Sequence, residues 1–585
     1  MIQISVITKL RHIFPRTVKV KLIVLVVSII IGALIETWTL SLIQPFTMIL
    51  ADPSVIYSNE MLYRIYNILG FGSVTVFLAS IAVAVAALYT FRGIYVYFLT
   101  RLQNRFLATN TAILSNSLLI HTLKQPYLYH VNNNPSKLQQ TVIRNAERLY
   151  GVVNCSLLML VDGFMTLFIL VFLMVTSFHM TMVVLLFAGI STVTYFKIFK
   201  RRIKAGGDDE AKGLIQINKS VLQALHGVKE IKIARREKFF TDKFKTINFN
   251  TVRVKEKVQS IRQLPKLFME SLCFSGAFLL VATVITAGVD MQTLIPQLGM
   301  FMLAAFKLLP AVSRILNNIT QIMRHGFSVH EVFSVLHEKD EELEQSMNSL
   351  TVSTHSKDIV ACGVTFKYPN TRRPILVDTS FSIPHNTSVG IIGASGSGKS
   401  TLVDIVLGIL CPQEGIVTYN GKSIHNDFNN WAENIGYVPQ VTYLMDETLM
   451  ENVAFGIEKN KIDIEKVWHA LEQAQLKEFV ESLPDSLETE IGEMGSRLSG
   501  GQRQRIGIAR ALYDNPEILV FDEATSALDY ATESAVMAAI RELQDSKTML
   551  IISHRLSTIE HCDIVYKVKK GQVIKVREPA EIGQV

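Results

Sequence analysis

From Leu22 to about Phe46 the chain runs apolar for longer than the ~20 residues a helix needs to cross the hydrocarbon of a bilayer. Similar stretches lie near 74–100, 152–177, 179–199, 267–288 and 293–312, which makes six expected spans. Lys9, Arg11, Arg16, Lys19 and Lys21 ahead of the first run suggest the charged start of a signal peptide. The apolar run is too long for one, however, and no small-residue cleavage pattern follows it.

The apolar excess ends near residue 315, and the remainder alternates short apolar strands with helices, so 585 residues divide into a membrane half and a mixed α/β half. Mean hydropathy is +0.29, an average over those two unlike parts. A net charge of +7 could indicate nucleic acid, yet the basic residues crowd the segments flanking the spans, which is the positive-inside pattern of a membrane protein. No nucleic acid partner is expected. Two polar insertions, about 101–150 and 200–265, carry Arg101, Arg105, Lys124, Arg144 and Arg148 in one and a dense basic run in the other, so both belong in the cytoplasm with the N-terminus. The sixth span then also ends inside, together with the α/β half. Between the first two spans, Ser58-Asn59-Glu60 could cap a short helix with Met61, Leu62, Ile65, Ile68 and Leu69 on one face, either lying on the membrane surface or packed as a loop helix. The five cysteines are widely spaced without CxxC, which indicates neither a disulfide framework nor a metal site.

Cations inside spans need a reason, because each costs ~2.5–3.5 kcal/mol when it faces lipid. Arg92, Lys266 and Lys307 all fall toward the inner side of the membrane. A phosphate-bearing substrate would suit such a cluster. Snorkelling to inner headgroups, or pairing of Lys266 with Glu270 one turn away, is the competing reading, and Lys307 fits the substrate reading best. Glu36 and Asp162 are counter-charges available in other spans.

In the second half, Gly393-Ala394-Ser395-Gly396-Ser397-Gly398-Lys399-Ser400 is a complete phosphate-binding loop between the apolar run Ser388-Val389-Gly390-Ile391-Ile392 and a helical run opening at Thr401. Glycines let backbone N–H groups close on phosphate oxygens, Lys399 reaches the β/γ phosphates, and the Ser400 hydroxyl can ligate Mg²⁺. ATP and Mg²⁺ are the expected cofactors. Tyr368, about 25 residues earlier, offers a ring for adenine. Ile518-Leu519-Val520-Phe521-Asp522-Glu523 is an apolar strand ending in one carboxylate for Mg²⁺, Asp522, and a neighbour able to polarise water, Glu523.

Between these stands Leu498-Ser499-Gly500-Gly501-Gln502, and with it the chain resembles the ATP-binding cassette (ABC) family, whose signature this is. In that family's order Gln440 matches the Q-loop, Glu493 the exporter X-loop, Ser526-Ala527-Leu528-Asp529 the D-loop and His554 the switch histidine. The resemblance implies an α-helical transmembrane domain of six helices, of the ABC exporter type, fused to a cytoplasmic α/β P-loop ATP-binding cassette. Domains are expected at 1–330 and 358–585, joined by a linker at 331–357. It also implies a homodimer in which each ATP lies between the phosphate loop of one cassette and Ser499, Gly500, Gly501 and Gln502 of the other. Glu523 would then act on water, Gln440 would join Ser400 and Asp522 around Mg²⁺, and His554 would sense the γ-phosphate. Short coupling helices are expected near 132–140 and 221–232.

Among exporters the chain resembles, end to end, the lipid-linked oligosaccharide flippases of bacterial protein N-glycosylation. The resemblance rests on Ile35-Glu36-Thr37, Phe91-Arg92, Leu264-Pro265-Lys266, Phe306-Lys307-Leu308-Leu309-Pro310 with Arg314, and His554-Arg555-Leu556-Ser557-Thr558-Ile559. It implies an ATP-driven flippase of a polyprenyl-pyrophosphate-linked glycan or a similar lipid-linked amphipathic substrate, in a bacterial cytoplasmic (inner) membrane. Where that family carries arginines in its cavity, Arg92 matches but Lys266 and Lys307 are lysines, which keep the charge and lose the bidentate fork. An exporter of lipid A-like lipid, peptide or drug is the alternative.

Overall fold

The first apolar run folds as the helix Arg16–Ser41. The second begins the 51-residue helix Val74–Lys124, whose start is set by Ser73, its hydroxyl accepting from the Val76 N–H. At 1.5 Å per residue this helix is roughly 75 Å long, more than twice the ~30 Å of a hydrocarbon core, so its basic second half must project into water. Ala146–Thr176, Phe178–His226 and Glu237–Thr286 are the other long helices, and a further helical stretch covers 310–324 and Gly326–His337. This computed structural model describes residues 9–41 apart from 11, 73–286 apart from 177, 308, 310–337, 357–523 apart from 370 and 372, 546–553, 555 and 559–576, with isolated helical positions at 49, 56, 64, 66–68, 534, 538 and 541.

Among the described residues three helices, Arg16–Ile35, Val74–Lys124 and Pro135–Val171, are long and apolar enough to cross a membrane. Of the other three expected spans, 179–199 and most of 267–288 are helical, and most of 293–312 lies outside the described residues. The loop helix expected to start at 58–60 falls mostly outside them too.

By internal contacts the chain divides into two units, Met1–Gln125 with His130–Lys339 and Pro126–Tyr129 with Asp340–Val585. In the first, Leu25 and Ile29 share one core with Leu118, Leu149, Val153, Val329 and Val332. Phe178–His226 and Glu237–Thr286 lie so close that a Cβ added at Gly206 would overlap the Val258 side chain, and one at Gly213 that of Thr251. Small residues therefore set this helix pair's spacing. Glu210, on the same helix as those glycines, is buried in an ion pair with Arg324. Between Pro135–Gln140 and Ala146–Thr176 the helical path widens into one π-turn, Thr141–Asn145.

The strands belong to the second unit. In chain order they are β1 (Ile359–Phe366), β2 (Leu376–Ile383), β3 (Ser388–Gly393), β4 (Glu414–Tyr419), β5 (Lys422–Ser423), β6 (Ile435–Val438), β7 (Ile518–Asp522), β8 (Thr548–Ile552), β9 (Ile564–Lys569) and β10 (Gln572–Lys575). They form an antiparallel sheet of order β2-β1-β4-β5 and a larger sheet of order β10-β9-β3-β8-β7-β6. In the larger sheet the pairings β6–β7, β7–β8, β8–β3 and β3–β9 are all parallel. Parallel strands covered on both faces read as continuous apolar runs, and β3 and β8 are buried at every position. One core packs Val389, Ile391, Leu402, Val403 and Trp431 with residues of β1 and β2, and Leu128 from the short segment 126–129 packs against it. That segment precedes the 132–140 expected for the first coupling helix, where the chain forms two short helices, Tyr127–Asn132 and Pro135–Gln140.

Candidate functional site

In a parallel sheet the carboxyl ends of neighbouring strands share one edge, which is where ligands bind in open α/β folds. The order β3-β8-β7-β6 therefore gathers the chain following Gly393, Ile552, Asp522 and Val438 along one edge. The loop after β3 enters the helix Lys399–Val406 through Gly398, whose φ of +106° suits glycine and whose added Cβ would meet Ile375 at 3.0 Å. Among the described residues no side chain caps this helix. Its first N–H groups are consequently open to an anion, and the Ser397 hydroxyl beside them is buried with no hydrogen-bond partner among those residues. The Lys399 ammonium donates to the Gly393 and Ala394 carbonyls at 2.9 and 3.1 Å. Burial pushes its pKa down, and the nearby Glu523 and Asp522 carboxylates pull it back up. An uncapped helix start, an unpartnered hydroxyl and a buried cation fit a phosphate chain.

Asp522 ends β7, and its carboxyl is pushed up by burial and by Glu523, with Lys399 acting in the opposite sense. A desolvated carboxylate beside a second one is a ready seat for a divalent cation, whose charge would reverse that shift. Glu523 follows with φ +49°, its N–H donating to Ile552 O of β8 at 3.0 Å. Gln440, just past β6, donates from Nε2 to Glu523 Oε2 at 2.7 Å. These residues, 83 apart in sequence, meet because β6 and β7 are neighbours.

Tyr368 reaches the phosphate-loop helix, its hydroxyl 3.4 Å from Thr401 Oγ1, with the Phe366 ring edge-on to it at 5.0 Å. The helix Gly500–Leu512 starts differently, because Ser499 and Gln502 close a capping box. The Ser499 N–H donates to Gln502 Oε1 at 2.8 Å and the Gln502 N–H to Ser499 Oγ at 3.2 Å. Among the described residues no hydrogen bond joins Ser499, Gly500, Gly501 or Gln502 to the loop 393–401 of the same chain. Gln504 on that helix does bond to Pro439 O at 3.2 Å, a tie between the signature helix and the Gln440 loop that no local motif announces. Glu493 is exposed in a short 3₁₀ turn, Glu493–Gly495. His554 and the segment 526–529 lie outside the described residues.

In the membrane unit Arg92 is half-buried, its guanidinium 5.9 Å from the Tyr89 ring. Lys307, and the side chain of Lys266, lie outside the described residues. A charged pair in this unit is described. Arg314 Nε donates to Asp162 Oδ1 and Oδ2 at 3.0 and 3.1 Å, and its Nη2 to Oδ1 at 2.6 Å. The signal available in the sequence is one acid in one span and one base near the end of another, a pairing that sequence distance alone does not select.

Residues 22–306 match the ABC transporter transmembrane region, and residues 376–526 match the ABC transporter family. Similar curated proteins include an ATP-dependent lipid A-core flippase of Ralstonia nicotianae, 30% identical over 492 residues, covering 83% of this chain and 81% of that one. Another of that name, from Vibrio parahaemolyticus, is 27% identical over 575 residues, covering 97% and 94%. A multidrug resistance ABC transporter ATP-binding and permease protein of Lactococcus lactis is 38% identical over 277 residues, 47% of this chain and 46% of the other. The fold is that of a solved bacterial Atm1-family ABC exporter with ATP bound, at TM-score 0.73 and 21% identity over 97% of both chains. With both regions matched on a single polypeptide, an ATP-binding α/β unit following a helical membrane unit, the chain belongs to the ABC transporter family as an exporter-type half-transporter.

Proposed function

We propose that the protein is an ATP-hydrolysing flippase of the bacterial cytoplasmic (inner) membrane, acting as a homodimer on a lipid with a polar headgroup. Lipid A-like glycolipids are the favoured substrates. The observation that carries this choice is that the relatives named lipid A-core flippases run along both units, up to 97% of this chain, whereas the multidrug relative covers 47%. A polyprenyl-pyrophosphate glycan, which the motifs around Arg92, Lys266 and Lys307 favour, is the second reading.

Within the cassette, Tyr368 and the loop 393–401 would hold ATP, and Ser400, Asp522 and Gln440 would hold Mg²⁺, which supplies charge neutralisation at the phosphates. Glu523 would orient water and accept its proton, with His554 acting beside it. The Gln440–Glu523 hydrogen bond supports this assignment, since it links the residue proposed at the metal to the residue proposed at the water. Ser499, Gly500, Gly501 and Gln502 would complete the partner's site, in keeping with the lack of described hydrogen bonds to their own phosphate loop. The deciding experiment reconstitutes the purified protein in liposomes and compares ATPase stimulation and flipping across lipid A, a polyprenyl-pyrophosphate glycan and hydrophobic peptides. Stimulation by peptide alone would overturn the lipid reading.

A further inference from the structure

The membrane unit contains a cavity of about 280 Å³ lined by Leu158, Val161, Asp162, Arg314, Asn317 and Asn318. It lies between the helix Ala146–Thr176 and the helix 310–324. We infer that this cavity is a subsite for a hydroxyl-bearing sugar of the substrate headgroup, recognised by Asn317, Asn318 and the Asp162–Arg314 pair. The inference deepens the glycolipid reading above and rests on it.

The polar groups decide the ligand class. Arg314 already gives three N–H···O contacts to Asp162, so its charge is matched within the protein, and Asp162 itself is 5% exposed. Asn317 Oδ1 is buried with no hydrogen-bond partner among the described residues. A phosphate oxygen can only accept, and here it would face a carboxylate and an unpartnered carbonyl oxygen. A sugar hydroxyl both donates and accepts: it can satisfy Asn317 Oδ1 while taking an N–H from an asparagine amide or the guanidinium. An acceptor left unpartnered in the interior is unfavourable, and a hydroxyl relieves that on binding. Leu158 and Val161 form an apolar wall suited to the C–H face of a sugar ring. The volume of about 280 Å³ lies just below the ~300–1,000 Å³ usual for ligand pockets, enough for part of a headgroup and not for acyl chains.

The test uses full-length protein in proteoliposomes with three probes: lipid A, diglucosyl diacylglycerol and sugar-free phosphatidic acid. The variants Asn317→Leu and Asn318→Leu leave the ion pair in place. The concentration of either sugar lipid that half-stimulates ATPase should rise roughly five- to tenfold, as loss of about one hydrogen bond predicts. The response to phosphatidic acid and basal ATPase should stay unchanged, and the melting temperature should not fall, since Asn317→Leu removes an unpartnered acceptor. If the sugar lipids stimulate wild type and both variants alike, or if all three probes weaken together with the melting temperature, the subsite is wrong although the flippase reading stands. If wild type responds to none of the three lipids, the glycolipid reading above fails and the subsite with it.

Discussion

The side-chain amide of Gln440 donates to the Glu523 carboxylate at 2.7 Å, joining the chain just past β6 to the residue that follows β7. Glu523 holds φ +49°, a left-handed backbone that a non-glycine residue adopts at a cost of order 1–3 kcal/mol. The chain turns out of the strand direction there while the Glu523 N–H stays bonded to β8. The carboxylate proposed to act on water is thereby held next to, and distinct from, Asp522, the carboxylate proposed for the metal.

Replacing Glu523 with Gln keeps the volume and the backbone demand and removes the base. ATPase activity should fall at least ~100-fold while ATP binding persists. Nucleotide retention by filter binding alongside phosphate release measures both, and survival of more than about a tenth of the activity would remove Glu523 from its role.

Lys399→Ala should silence the half-site that carries it, and Ser499→Arg the half-site of the partner. A mixed dimer of the two variants then places both lesions in one half-site and spares the other. ATPase assays on co-assembled, doubly tagged dimers should show activity above either parent. The cis arrangement, with each chain completing its own site, predicts no recovery.

Glu210 and Arg324 form a buried pair, their side chains 9% and 10% exposed. Glu210→Ala would leave the guanidinium buried and uncompensated, at a cost of ~3–5 kcal/mol. The melting temperature in detergent should drop markedly, and Glu210→Met with Arg324→Met should recover most of the loss. A double variant no better than the single would show that the pair's charge does not set the cost.

Burial and the neighbouring Asp522 push the Asp404 carboxyl up to about 6. A raised carboxyl favours the protonated form in the folded state, so its stabilising contribution is full below the ordinary value near ~4 and is lost as pH rises through about 6. As pH rises from acid through neutrality the protein should therefore melt at progressively lower temperature, and Asp404→Asn should flatten that dependence. Differential scanning fluorimetry across this range measures it; an unchanged slope in the variant would assign the dependence elsewhere.

Neutralising Arg92, Lys266 and Lys307 together with Gln should depress flipping of lipid A and its stimulation of ATPase and spare basal turnover, because the cassette is untouched. Lys307→Arg should be tolerated, since the guanidinium fork suits phosphate at least as well. Unchanged transport in proteoliposomes by the triple variant would favour snorkelling.

The elements legible from sequence are those whose physics is local. A helix long enough to cross a bilayer needs only its own apolar residues, and Leu22 onward announces itself. The phosphate loop is equally local: a strand, glycines able to take φ values such as +106° at Gly398, and a helix left uncapped. Ser499 and Gln502, read from the sequence as part of the signature, are also local, and the structure shows them closing a capping box.

What only the tertiary structure decided is which distant groups meet. Gln440 reaches Glu523 because strand order sets β6 beside β7, and across a sequence separation of 83 the chain carries no periodic trace of that order. Asp162 and Arg314 stand 152 residues apart, on helices whose apolar pattern is compatible with many rotations and registers. Their pairing follows from how the helices pack, where a carboxylate as buried as Asp162 is costly to leave unpaired, while the Arg314 side chain remains 53% exposed. The same packing leaves Asn317 Oδ1 unpartnered beside a cavity, a feature that no residue pattern encodes because it is defined by what the neighbours fail to fill.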